Sequence, residues 1–179
     1  MHNLDDYLKT LVEDSSLQSY SCLMLDIPNQ FTAKILAEIS DEDLHKYGKE
    51  LDAHVTVKYG LHTSNPKDVF DVCENWGKFP IHVTVDNFSL FRNEEFDVLK
   101  MEVKSPALVA LNKVICDEFE FTDVYTDYIP HVTLAYLKSG MGTKYVKLLN
   151  EKFPNFKEII KSNTLVFNDK EDKETTRTL

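Results

Sequence analysis

Two stretches of the chain repeat each other: His54-Val-Thr-Val-Lys-Tyr59 and His131-Val-Thr-Leu-Ala-Tyr136. Both read His-Val-Thr, an apolar residue, any residue, Tyr. Side chains alternate across a β-strand, so each histidine shares a face with the threonine two residues on. Simple alternation puts His54, Thr56 and Lys58 on one face and Val55, Val57 and Tyr59 on the other. The second copy places His131, Thr133 and Ala135 against Val132, Leu134 and Tyr136. Two such strands side by side would bury their Val, Leu and Tyr faces and turn two His/Thr pairs into a common cleft. Two imidazoles that titrate near neutrality can take a proton from an attacking oxygen and return one to a leaving oxygen. Two hydroxyls can donate hydrogen bonds to non-bridging phosphate oxygens, where charge builds in the transition state. This is the chemistry of phosphodiester cleavage, and in principle it needs no metal. Two histidines without carboxylates or cysteines at ligand spacing make an incomplete zinc site, so neither metal nor cofactor is expected.

The tripeptide alone carries little information, because it occurs a third time as His82-Val83-Thr84. There Asn87 stands where the other copies have tyrosine. His82, Thr84 and Asp86 alternate with Ile81, Val83 and Val85, so this strand is read as turning His82 and Thr84 to solvent, with a secondary substrate contact as the alternative. Lys58 is a candidate phosphate contact, or a lysine that snorkels to water. Tyr20, Trp76, Phe91, Tyr125 and Tyr128 are candidates for stacking on a base, and of these Tyr20 and Trp76 are expected to bind substrate. Each of these aromatics has a competing place in the core or on the ordinary surface, and Trp76 in particular lies on the inward stripe of a helix. His62 follows the first motif and reads as a loop residue.

The elements that must position these residues can be traced along the chain. Asn3 caps a short N-terminal helix with a Leu4, Leu8, Leu11, Val12 stripe. Residues 20–27 form a buried strand ended by Pro28, and 30–39 a helix. A polar loop covers 40–51. The first motif strand is closed by Gly60. Asn65-Pro66 starts a helix that stops at Gly77. Strands follow at 81–85 and 96–104. Ser105-Pro106 opens a helix with Leu108, Leu111 and Ile115 inward. The second motif strand spans 131–137, and a helix runs from Gly142 to about Phe153. Residues 163–168 form a last strand, with a charged turn leading to a partner at 175–179. The order is α+β, in one domain over residues 1–179.

The chain has 179 residues, 42% of them hydrophobic, and a formal net charge of −10. Such an acidic balance argues against a long polyanion as the main partner, while a local cleft can still hold a small anion. Cys22, Cys73 and Cys116 are widely spaced and odd in number, which reads as buried thiols in a reducing compartment rather than a disulfide frame. No signal peptide and no apolar run long enough for a membrane helix is visible, so a cytoplasmic location is expected.

At the two motifs the sequence resembles the 2H phosphoesterase superfamily, named for its paired His-x-Thr/Ser motifs. The resemblance extends through element order over roughly residues 20 to 168. It implies a two-lobed, pseudo-twofold α+β fold with antiparallel sheets around a central cleft and helices outside. It carries catalytic roles onto His54, Thr56, His131 and Thr133 only. It implies a phosphodiesterase acting on a small nucleotide. The size and the Val-Lys-Tyr-Gly-Leu continuation of the first motif resemble a viral branch that cleaves the cyclic di- and trinucleotide signals of bacterial immunity (the anti-CBASS type). The alternatives are a 2′,5′-oligoadenylate or 2′,3′-cyclic phosphate phosphodiesterase or RNA-end processing enzyme, and a non-catalytic nucleotide-binding module.

Overall fold

Apolar residues at alternate positions mark several of the strands, and Gly77 and Pro154 stand just past the ends of two of the helices. The computed structural model describes residues 20–122 and 127–179. The elements are β1 (Ser21–Asp26), α1 (Asn29–Leu36), β2 (Leu44–Lys49), β3 (His54–Leu61), α2 (Pro66–Trp76), β4 (Ile81–Arg92) and β5 (Phe96–Lys104). Then come α3 (Pro106–Glu118), β6 (His131–Lys138), α4 (Gly142–Lys152), β7 (Lys157–Ser162), β8 (Thr164–Asn168) and β9 (Glu174–Thr178). The expected N-terminal helix and Tyr125 lie outside the described residues.

The helix boundaries follow from local chemistry. Asn65 and Ser105 each accept a backbone N–H of the first turn, from Lys67 and Leu108, and each is followed by proline at the first helical position. Gly77 closes α2 in the left-handed conformation, at φ 67°. Two strands escape the sequence reading. The expected polar loop at 40–51 contains β2, and β7 lies beyond the expected end of α4. Both lack a continuous apolar face. Each is stabilised by pairing, β2 with β6 and β7 with the edge of β4.

The strands form one nine-stranded sheet in the order β7-β4-β5-β6-β3-β1-β8-β9, with β2 paired to β6 off this path. All named pairings are antiparallel. The order is symmetric about the β6–β3 seam: four strands lie on each side, with a motif strand innermost in each half. The seam is held by a single registered pair, Val55 with Val132, which are equivalent positions of the two repeats. A pseudo-twofold axis therefore passes through that pair. One face of the sheet carries the core, where Leu23, Leu25, Val55, Val57, Leu99, Met101 and Val132 meet Leu108, Leu111 and Ile115 of α3. The opposite face holds the motif histidines and threonines. No helix among the described residues is long and apolar enough to cross a membrane.

Candidate active site

The histidines are positioned by register. Antiparallel partners point to the same face, so Asp26 stands beside His54 and Met24 beside Thr56. In the other half Glu102 stands beside His131 and Lys100 beside Thr133. Extending the Val55–Val132 register by one residue each way sets His54 across from Thr133 and Thr56 across from His131. The four motif residues thus converge on the seam, each partly exposed.

The alternation that defines this face does not persist along the motif strands. On β1, Leu23 pairs with Lys58 and the next residue, Met24, with Thr56, which leaves Val57 as an extra residue. On β5, Leu99 pairs with Ala135 and Lys100 with Thr133, which leaves Leu134 as the extra residue. These β-bulges occupy the same position, three residues after the histidine, in both repeats. An extra residue inverts the facing of everything beyond it. Lys58 is accordingly turned to the core face and buried, with its ammonium 3.7 Å from the centre of the Phe121 ring. The expectation that Lys58 faces the cleft is corrected. So is the expectation that the motif tyrosines face the core. Tyr59 pairs with Cys22 and Tyr136 with Val98, both on the His/Thr face.

The backbone carbonyls at the first bulge are satisfied. The Tyr128 hydroxyl donates to the Thr56 carbonyl at 2.7 Å, and Asn112 Nδ2 donates to the Val57 carbonyl at 2.7 Å. The Leu134 carbonyl of the second bulge accepts the Glu50 N–H at 2.9 Å. Tyr128 is therefore a brace for the first motif strand, since its hydroxyl is committed to that strand's backbone.

Both rings are oriented alike. His54 Nδ1 lies 2.8 Å from the Asp52 carbonyl, and His131 Nδ1 lies 2.9 Å from the Ile129 carbonyl. A carbonyl accepts only, so Nδ1 carries the proton in each ring and Nε2 is left to the cleft. Burial pushes the His131 imidazole down to about 4, against a raising effect of the Ile129 carbonyl, and the Lys100 and His54 charges lower it further. At neutral pH, His131 is therefore neutral with a free Nε2 lone pair. The Phe91 ring stands edge-on to His131, with 4.9 Å between centroids.

The remaining candidates divide. Tyr20 stacks on His62 at 5.3 Å and meets Tyr59 edge-on at 6.5 Å, so it reaches the His/Thr face through Tyr59. Trp76 stands at the end of α2 against Phe79 and packs on the core, so the fold does not bring it to the histidines. His82 and Thr84 lie on β4, outside the motif strands, and His82 is exposed. None of the cysteines forms a disulfide; Cys73 is buried and Cys22 and Cys116 are half-buried. Burial pushes the Cys22 and Cys73 thiols up to about 12, which removes them as nucleophiles. Residues that sequence reading did not select are Lys100, Ser89, Asp26 and Glu102. They enter the site through cross-strand register, which no motif announces.

A seam with paired His-x-Thr strands on one open face, backed by helices on the other, defines a phosphoesterase of the two-histidine class, an enzyme of the hydrolase type. The family model of the 2′-5′ RNA ligase superfamily matches residues 28–157, and the chain belongs to that superfamily. The fold is similar to Usb1 of Kluyveromyces marxianus in complex with uridine monophosphate, with TM-score 0.60, 10% identity, and 90% of this chain and 99% of that chain covered. A second structure of Usb1 from the same organism gives TM-score 0.57 and 11% identity, again over 90% and 99% of the two chains. A crystal structure of a phosphoesterase gives TM-score 0.50 and 10% identity, over 90% of this chain and 95% of that one. No curated protein sequence matches the chain.

Proposed function

We propose that this protein cleaves phosphodiester bonds of small ribonucleotides by metal-independent acid–base catalysis between His131 and His54. The observation that carries the reading is the mirrored pair of imidazoles at the seam, each with Nδ1 tied to a backbone carbonyl and each beside a threonine of the opposite repeat. His131, neutral with its Nε2 lone pair available, takes the proton of a ribose hydroxyl next to the phosphate. That oxygen bonds to phosphorus and the bond to the leaving oxygen breaks. His54, which must enter this step with a proton on Nε2 as well as on Nδ1, delivers that Nε2 proton to the leaving oxygen and returns to the neutral ring. Thr56 and Thr133 donate to the non-bridging oxygens as charge develops there. A cyclic phosphate is formed, and water can open it with the two histidines in exchanged roles.

Family membership favours 2′,5′-oligoadenylate, 2′,3′-cyclic phosphates or RNA ends as the substrate. The net charge of −10 favours a short substrate among these, because a long strand meets repulsion beyond the cleft. The same preference for a short substrate leaves room for a second reading, a viral enzyme in the host cytoplasm acting on cyclic di- or trinucleotide immune signals.

The test is turnover of a panel in EDTA: 2′,5′-oligoadenylate, 2′,3′-cyclic mononucleotides, short RNA and cyclic di- and trinucleotides, each with products identified. Turnover of at least one substrate is expected, with loss in His54→Ala and in His131→Ala. A substrate whose attacking hydroxyl is replaced by hydrogen should resist cleavage. Activity that survives both substitutions, or that depends on added metal, refutes the reading. Ligand binding without turnover of any substrate would point instead to a nucleotide-binding module.

A further inference from the structure

The pseudo-twofold axis makes the two histidines equivalent in sequence context, yet the reaction needs them to differ. Their surroundings show one clear break in symmetry. Beside Thr133 stands Lys100; at the corresponding place beside Thr56 stands Met24. One strand further out, Ser89 faces Lys100, while Val166 faces Met24. One half of the cleft thus carries a cation and a hydroxyl where the other carries two apolar side chains.

Lys100 is only 4% exposed. Its ammonium donates to Ser89 Oγ at 2.8 Å and lies 4.3 Å from the centre of the Phe91 ring, and that ring abuts His131. Among the described residues no carboxylate forms an ion pair with it. A buried charge without a counter-ion is costly, and replacing it by an apolar side chain of similar volume commonly stabilises a fold. Lys100 is a poor choice for stability alone. An anion brought to Thr133 would supply the missing counter-charge in a site of low dielectric.

Building on the phosphodiesterase reading, we propose that Lys100 is the positioning residue that makes the two halves of the cleft unequal, drawing the phosphoryl group to the Thr133 side and keeping His131 as the proton acceptor. The charged and titratable groups facing His131 are Lys100 and Glu102 from β5, Asp86 from β4 and His54 from β3. Among the described residues, Asp86 is engaged by Lys104 at 2.9 Å, while register sets Lys100 beside Thr133, one strand from the His131 ring. The field of Lys100 opposes protonation of His131 and attracts phosphate, and both effects serve the same half-reaction.

The experiment compares wild type, K100M and K100R. K100M copies the residue at the symmetric position and keeps the side-chain volume. Inorganic phosphate is titrated against the histidine NMR signals, and each histidine is titrated with pH. K100M should bind phosphate about tenfold more weakly, and its His131 should titrate higher by up to about one pH unit. K100R should retain both wild-type values, and K100M should melt no lower than wild type. Unchanged phosphate affinity in a folded K100M overturns the proposal. So does a loss of affinity that K100R fails to rescue. These readouts need no turnover. If wild type cleaves none of the substrate panel yet binds phosphate through Lys100, the cleavage reading falls, and with it the proton-acceptor role of His131, while the assignment of Lys100 as the phosphate-positioning residue stands. If wild type is active and K100M binds phosphate normally, only this assignment falls.

Discussion

At the scale of single residues the histidines are equivalent in bonding and unequal in environment. Removing either should cost about 10² to 10⁴ in kcat/KM, the usual worth of a general acid or base. Thr56→Val or Thr133→Val should each cost about 10² to 10³, as for the loss of one donor to developing charge, with little change in KM. Steady-state kinetics on any cleaved substrate checks both. The lowered His131 also has a stability consequence. Its folded value, about 4, lies below the ordinary 6.5, so the folded state resists protonation more than the unfolded chain does. Stability from this group is fully present above pH 6.5 and is lost as pH falls toward 4. Melting temperature should drop across that window in wild type and drop less in His131→Asn. A parallel pH dependence in both proteins would contradict the assignment.

At the scale of elements, the motif strands are short ribbons whose extra residues must be held in place. Gly60 follows the first bulge at φ 86°, and a Cβ there would lie 1.9 Å from the Thr122 carbonyl oxygen. The Thr122 N–H donates to the Gly60 carbonyl at 2.9 Å, so this segment cannot simply step away. Gly60→Ala should therefore destabilise by about 2 kcal/mol or more, measurable by urea unfolding. Tyr128→Phe removes the donor to the Thr56 carbonyl. It should cost about 1 to 2 kcal/mol and lower kcat more than it raises KM, because the strand that carries His54 and Thr56 loses its brace. Legibility in the sequence also differs by element. The helices opened by Asn65-Pro66 and Ser105-Pro106 announce themselves because capping is local chemistry. The strand at Leu44–Lys49 reads as loop because its residues show no apolar alternation; pairing to β6 and ring contacts of His45 and Tyr47 with Phe96 hold it, and none of these is local in sequence. Alternation puts Lys58 and the two tyrosines on the wrong faces for a related reason: a period of two has no way to register an added residue. His54 and His131 with their threonines precede the bulges, so alternation places those four correctly. Lys100 has no signature in the sequence because its relation to Thr133 runs across strands.

At the scale of the molecule, a net charge of −10 surrounds a cleft with a cation on one side. Discrimination between a dinucleotide and a long RNA of the same linkage should be strongest at low ionic strength. It should shrink as salt rises from about 20 mM to about 200 mM, since screening removes distant repulsion before it weakens close contacts. A ratio of rates that does not depend on salt would mean the acidic surface plays no part in choosing substrate length.

The shared bulge has a further use. In a regular strand, residues that share a face are separated by even numbers. Here histidine and tyrosine are five apart and still share one, in both repeats. An odd interval between cooperating side chains is thus a written trace of an inserted residue. Anyone transplanting this quartet into an idealised sheet would have to carry the irregularity along with the side chains. A graft onto a straight ladder would keep the imidazoles and hydroxyls and send both tyrosines through to the wrong side.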